Sequence, residues 1–282
     1  MAKQEASKEK IGILHPGQMG VVVAKTIRNS GHDVYWASAG RSTESRGRAS
    51  EAGLTDAGSV ERLCKICAAI VSVCPPEFAE ALAREVAGYS FSGLYLDLNA
   101  ISPDRVRRIQ GLVTGAGVVF LDGSIIGAPA SARGQTWVYV AGQGAARAAA
   151  YFCGGPLEFE VFSDEAGQAS ALKMCFAAHS KGTAALQTTV LAAAQSLGVQ
   201  DALQRQWARS GPNFERVASS IRQAAPKAWR FIGEMSEIAK TFESAGVSKA
   251  FPVAAREIYE KLRELKGAAS PDLPGILEKL RA

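Results

Sequence analysis

The feature that most constrains this 282-residue chain lies near its start. An apolar run, Ile11–Leu14, leads into His15-Pro16-Gly17-Gln18-Met19-Gly20, then a helix-like stretch Val21–Ser30, then Gly31-His32 and a second apolar run, Asp33–Ala37. A strand, a glycine turn, a helix and a second strand at this spacing form a βαβ unit, with the helix returning the chain so that the strands lie parallel. Glycines in such a turn let backbone N–H groups approach a diphosphate at the helix N-terminus, where the helix dipole favours negative charge. Two of the three fingerprint glycines are present, Gly17 and Gly20, and His15 stands where the first would be. A G-x-x-G pair alone is a weak signal. The strand before it and the helix after it carry the weight, and together they predict a dinucleotide site.

The alternation continues along the chain. Further strands are expected at Ala69–Cys74, Leu94–Asp97, Val118–Asp122 and Trp137–Ala141, with a short one at Glu158–Phe162 closing the set. Their apolar and β-branched density suits strands buried on both faces. This predicts an α/β Rossmann domain with a mostly parallel, doubly wound sheet over residues 1–163. After Ser163 no strand is expected, and Ala, Leu, Gln, Glu, Lys and Arg dominate. An all-α domain over residues 164–282 follows: one long helix, Glu165–Leu197, ended by Gly198, then helices at Gln200–Arg209, Asn213–Arg222, Ala225–Ala245, Pro252–Leu265 and Leu273–Arg281. The length leaves room for two cores, and 47% hydrophobic with 21% charged residues is the composition of a globular protein.

Several function classes drop out. A net charge of +5 is too small and too dispersed for a nucleic-acid binder, though it suits a site for an anionic ligand. The opening MAKQEASKEK lacks the apolar core of a signal peptide, and Thr183–Leu197 is broken by Gln187, Thr188, Thr189, Gln195 and Ser196, short of a membrane span. The expectation is a cytoplasmic protein without a membrane partner. Five cysteines form no disulfide framework; Cys64 and Cys67 make a C-x-x-C that reads as two small apolar residues before a buried strand. With three scattered histidines (15, 32 and 179), no metal site is expected.

Cofactor choice is read at the end of the second strand, where an acid would bind the ribose hydroxyls of NAD. This chain has Ala37-Ser38-Ala39-Gly40-Arg41-Ser42, with Arg46 and Arg48 beyond. A guanidinium and hydroxyls suit a 2′-phosphate, so NADP(H) is favoured over NAD(H).

On these residues the sequence resembles the β-hydroxyacid dehydrogenases, the family of 3-hydroxyisobutyrate and 6-phosphogluconate dehydrogenases. The resemblance is carried by His15-Pro-Gly-Gln-Met-Gly20, Gly31-His32, Val73-Cys74-Pro75 and Asp97-Leu-Asn-Ala-Ile-Ser-Pro103. It continues in Asp122-Gly-Ser-Ile-Ile-Gly-Ala128 and Gly167-Gln-Ala-Ser-Ala-Leu-Lys173. It implies hydride transfer at the domain interface, with Lys173 as general acid/base, Cys74, Pro75 and Asn99 beside the cofactor, and a homodimer formed through the helical domain. Elementary physics agrees on the lysine: an amine on a largely apolar helix is partly desolvated, which favours its neutral form.

Three departures concern the substrate. Where the family places a Ser-Gly-Gly that holds a carboxylate, this chain has Ile126-Gly127-Ala128, leaving Ser124 as the nearest hydroxyl. Where the family has an asparagine one turn after the lysine, it has Ala177; Ser180 and Lys181, on the same helical face as Lys173, are the polar substitutes, ahead of His179. Asn99-Ala100 stands for a Ser-Thr pair. Trp207, Phe214, Trp229, Phe231, Met235, Phe242 and Tyr259 are expected in core or dimer packing rather than against a substrate. The expected activity is hydride transfer to or from a small alcohol or carbonyl, with an imine or ketone reductase and a non-catalytic dinucleotide binder as the competing readings.

Overall fold

The computed structural model describes residues 8–281; Met1–Ser7, most of the polar opening segment, lie outside them. The chain divides into two compact units, Met1–Lys173 and Met174–Ala282. The first unit runs past the expected boundary at Ser163 and takes in the opening of a long helix.

In chain order the first unit comprises β1 (Lys10–Ile13), α1 (Gln18–Asn29), β2 (Asp33–Trp36), α2 (Thr43–Glu51), β3 (Thr55–Asp56), α3 (Val60–Ile66), β4 (Ala69–Ser72) and α4 (Ala79–Ala87). There follow β5 (Leu94–Asp97), α5 (Pro103–Val113), β6 (Val119–Ile126), β7 (Thr136–Ala141), the short α6 (Ala145–Ala148) and β8 (Leu157–Ser163). The eight strands form one sheet in the order β3-β2-β1-β4-β5-β6-β7-β8. Every neighbouring pair is parallel except β6 with β7. Strand order reverses at β1, which lies between β2 and β4, and the carboxyl ends of strands at such a switch point border a ligand crevice.

Alternation along the strands explains the two cores. Ile11, Ile13, Ala69, Val71, Leu94 and Leu96 point to one face and pack with Val23 and Ile27 of α1. Ile70 and Tyr95 point to the other, with Leu63 of α3, Leu82 of α4 and Ile109 of α5. Each of these large side chains contributes about 1.5–3 kcal/mol by leaving water. Ser42 and Ser59 cap α2 and α3 by accepting from the N–H groups of Ser45 and Arg62.

The second unit is helical. Its first helix, α7 (Gln168–Ser196), begins in the first unit and ends at Gly198, whose φ of +67 takes the left-handed turn that stops a helix. Then come α8 (Gln200–Ser210), α9 (Phe214–Ala224), α10 (Ala228–Ser244), α11 (Ala250–Lys261) and α12 (Leu273–Glu278). Met235, Ile238, Tyr259, Ile221 and Ile276 are buried, while Trp229 is 39% exposed and Phe231 and Phe242 are half-buried. Among the described residues no helix is long and apolar enough to cross a membrane.

Candidate active site

The β1–α1 turn opens the carboxyl edge of the sheet. Gly17 is the N-cap of α1, and neither a side chain nor an acidic residue in the first turn serves the N–H groups there. Those groups are the ones a helix leaves for an outside acceptor. The two glycines have different reasons. A Cβ on Gly20 would collide with the carbonyl oxygen of His15, so packing demands glycine. Gly17 has φ −72, open to any residue, and a Cβ there would meet nothing within 4 Å. Protein packing leaves Gly17 unexplained; an open cradle for a group that approaches the backbone closely explains it.

Basic groups border this turn. Arg41, after β2, reaches back so that its Nη1 contacts Nε2 of His15. Arg46 Nη2 donates to the Ser38 carbonyl at 2.8 Å, and Arg48 Nε donates to the Pro16 carbonyl at 3.1 Å. The Ser42 hydroxyl is occupied as the cap of α2. Among the described residues no ion pair joins Arg41, Arg46 or Arg48 to a carboxylate. Burial, and after it the Arg41 charge, push the His15 imidazole down to about 4, and burial lowers the Arg41 guanidinium from its usual range. His15 Nδ1 and Arg41 Nε are buried with no hydrogen-bond partner. Guanidiniums outside any ion pair, unsatisfied donors, an open glycine and a helix N-terminus fit a phosphate-bearing dinucleotide.

The ends of β4 and β5 are tied by one side chain. Asn99 Oδ1 accepts from the Cys74 N–H at 2.6 Å, its Nδ2 donates to the Ser72 hydroxyl at 3.0 Å, and its own N–H donates to Asp97 at 2.8 Å. Asn99 thus fixes the Cys74-Pro75 wall of the crevice. Burial pushes the Cys74 thiol up to about 12, which makes it part of the wall and not a nucleophile. Cys64 and Cys67 are raised to about 12 by the same cause. Asp97, fully buried, is raised to about 7 by desolvation, and its Oδ2 has no hydrogen-bond partner.

The third part sits between β6 and α7. Asp122 accepts from the N–H groups of Gly167 (2.8 Å) and Ser170 (3.1 Å) and from the Ser170 hydroxyl (2.6 Å). A strand carboxylate therefore caps the start of α7. One turn on, Lys173 Nζ donates to the carbonyl of Ile125 at 2.7 Å. Asp97 pairs with Asp122 in register, so Ile125 lies three residues beyond the end of β5, level with the Asn99-Ala100 loop. The amine is held over the carboxyl edge, about 10 Å past β5 at ~3.3 Å per residue. Ser124 is buried with its hydroxyl unpartnered, and Ile126 is half-buried. Gly127 takes φ +134 where a Cβ would strike Thr136.

In the second unit, Ala177 is fully buried and Ser180 exposed. Lys181 pairs with Glu234 at 2.5 Å, lies over the Phe231 ring, and its carbonyl accepts from Tyr259 at 2.6 Å. Sequence reasoning gave Asp122 no role, although it opens the motif Asp122–Ala128, and did not single out Glu234. Among the described residues no group of three or more His, Cys, Asp or Glu is arranged to hold a metal ion.

Residues 10–151, about half of the chain, match the NAD binding domain of 6-phosphogluconate dehydrogenase, and residues 194–262 match a domain of unknown function, DUF1932. None of the curated proteins matches the sequence significantly. Among solved structures, conserved protein MTH1747, of unknown function and described as similar to 3-hydroxyacid dehydrogenases, is 26% identical. The alignment covers 91% of this chain and 97% of that one, with a TM-score of 0.68. The 3-hydroxyisobutyrate dehydrogenase of Mycobacterium tuberculosis is 17% identical over 98% of this chain and all of its own, with a TM-score of 0.72. A reductive aminase from Aspergillus terreus, solved with NADPH and ethyl levulinate, is 16% identical over 98% of this chain and all of its own, with a TM-score of 0.55. The last two likenesses are of fold.

Proposed function

The chain belongs to the β-hydroxyacid dehydrogenases, NAD(P)-dependent oxidoreductases with the nucleotide domain of 6-phosphogluconate dehydrogenase, and we propose that it moves hydride between NADP(H) and a small alcohol or carbonyl compound with Lys173 as general acid/base. When bound, the nicotinamide supplies or accepts the hydride. The first turn of α1, from Gly17 to Gly20, binds the diphosphate through backbone N–H groups, and the guanidinium of Arg41 binds the 2′-phosphate. The Cys74-Pro75 wall, braced by Asn99, borders the dinucleotide.

The observation that carries the reading is the anchored amine. Lys173 is tied to the Ile125 carbonyl on a helix capped by Asp122, level with the loop after β5. From there its ammonium donates a proton to a developing alkoxide, and in the reverse direction its neutral amine takes the hydroxyl proton. The buried, unpartnered Ser124 hydroxyl supports a role in orienting the substrate oxygen. A pure binder has no use for an amine so anchored.

A second reading is a reductase of imines or ketones. It is favoured by Ile126, which offers no donor where the family holds a carboxylate. Homodimerisation belongs to the proposal and is supported by Phe176 and Leu186 on α7, which are 47% and 54% exposed. Five free thiols support a reducing, cytoplasmic setting.

The test is Lys173→Ala, assayed by NADPH consumption across hydroxy acids, ketones and imines. Cofactor binding is expected to persist while turnover of any accepted substrate falls by about 10²-fold or more. Undiminished turnover would remove the lysine from the mechanism.

A further inference from the structure

His15 stands where the fingerprint has glycine, and the turn alone gives no reason for it. Its side chain lies against Arg41, with Nε2 at the guanidinium. A guanidinium only donates, so Nε2 accepts and the proton of the neutral ring sits on Nδ1. That Nδ1 is buried without a partner, and so is Nε of Arg41. The pair therefore holds two unmade donor positions in a place that has a cation and no paired carboxylate. Unmade buried donors are costly, so the arrangement is unfavourable until an acceptor arrives.

Arg41 from the β2–α2 loop touches His15 directly, and Arg48 of α2 binds the adjacent Pro16 carbonyl. Against the burial of Arg41, Glu85 of α4 and after it Cys74 favour its charged form. Without an anion, burial and the Arg41 charge keep His15 neutral. A dianion entering between the two side chains reverses the electrostatic part: it accepts from the guanidinium, frees Nε2 from its acceptor role and favours the imidazolium.

We propose that His15 is a ligand of the cofactor's 2′-phosphate, sharing it with Arg41, and that it takes up a proton when the phosphate arrives. This rests on the NADP(H) reading above. NADH lacks the phosphate and makes no such demand, so the residue discriminates between the two cofactors and makes the discrimination depend on pH. Between the free and bound titration points of His15, NADPH affinity rises by up to about tenfold per unit fall in pH, and NADH affinity does not.

Two measurements on the full chain test this. Calorimetric titration with NADPH and NADH in buffers of different ionisation enthalpy, for the wild type and His15→Gln, gives the protons exchanged on binding. The 2′-phosphate itself sheds part of a proton near its pKa of about 6, but equally in both proteins, so their difference reports His15. The expected difference approaches one proton with NADPH at mildly acidic pH and none with NADH. Because the substitution can disturb folding, the second measurement follows the His15 ring in the native protein by NMR, which is tractable with three histidines. Its titration point is expected to move up on adding NADPH and to stay on adding NADH. NADPH preferred over NADH, with no proton difference and an unmoved His15 resonance, would overturn this inference alone. NADH bound as tightly as NADPH would overturn the cofactor reading and the inference with it.

Discussion

Removing the Asp122 carboxylate tests how the lysine is positioned. Asp122→Ala deletes three hydrogen bonds, two of which cap α7, and leaves the N–H groups of Gly167 and Ser170 buried without an acceptor. Loss of a cap costs about 0.5–2 kcal/mol, and each orphaned buried N–H about 1–3 kcal/mol. Burial raises the carboxyl of Asp122, so its charge is expensive in the fold, and alanine recovers part of that loss. The net expectation is a destabilisation of about 3–5 kcal/mol, seen as a fall of about 1–2 M in the urea midpoint. Asp122→Asn keeps an acceptor for the two N–H groups and can donate to the Ser170 hydroxyl, so it is expected to lose about 1 kcal/mol. Activity separates positioning from bulk stability. In folded protein the alanine variant is expected to lose kcat with NADPH affinity retained, and the asparagine variant to recover most of it. A midpoint within 0.3 M of wild type for Asp122→Ala, or equal kcat losses in both variants, would refute the assigned cap (threshold from roughly 1 kcal/mol at m ≈ 3 kcal/mol/M).

Two further outcomes follow from the same geometry. Arg41→Asp places a carboxylate opposite the 2′-phosphate and offers an acceptor to ribose hydroxyls, so the ratio of NADPH to NADH affinity is expected to fall by about 10²-fold or more in a fluorescence titration. Asp97, raised to about 7 from 3.8, binds its proton more tightly folded than unfolded. Its contribution to stability therefore grows as pH falls from about 7 to about 4, by up to about 4 kcal/mol, and is lost as pH rises through 7. Asp97→Asn is expected to remove that slope and to be the more stable protein at pH 8; parallel stability curves for the two would contradict the buried charge.

Much of the architecture was legible because burial on both faces leaves continuous apolar strands, and seven of them fall where Ile11–Leu14 through Glu158–Phe162 predicted. The rest depended on partners distant in sequence. β3 has two residues, Thr55 and Asp56, held by register with Tyr35 and Trp36, too short to show any period. β6 was expected to stop at Asp122 but continues to Ile126, because antiparallel pairing with β7 sets Ser124 against Tyr139 and Ile126 against Trp137. Arg46 and Arg48, noted beyond Ser42 beside the 2′-phosphate reading, lie on α2 and donate to the carbonyls of Ser38 and Pro16. The helix expected over Ala225–Ala245 starts as a tight turn at Ala225–Lys227, where Pro226 lacks an N–H, before α10 begins. In the site, the glycine turn and the lysine were visible as residue types. The cap on α7 was not, since Asp122 and Ser170 are 48 residues apart, and neither was the commitment of Lys181 to Glu234.

The central claim is that the turn beginning at Gly17 is kept open for a dinucleotide. Gly17→Ala tests it directly, because the backbone there suits any residue and the added methyl touches no protein atom within 4 Å. NADPH binding by calorimetry, with thermal unfolding measured on the same samples, is expected to show stability within about 1 kcal/mol of wild type and affinity lower by about tenfold or more, equivalent to at least about 1.4 kcal/mol. Unchanged NADPH affinity in a protein of unchanged stability would mean that nothing sits in that cradle, and the account would fall.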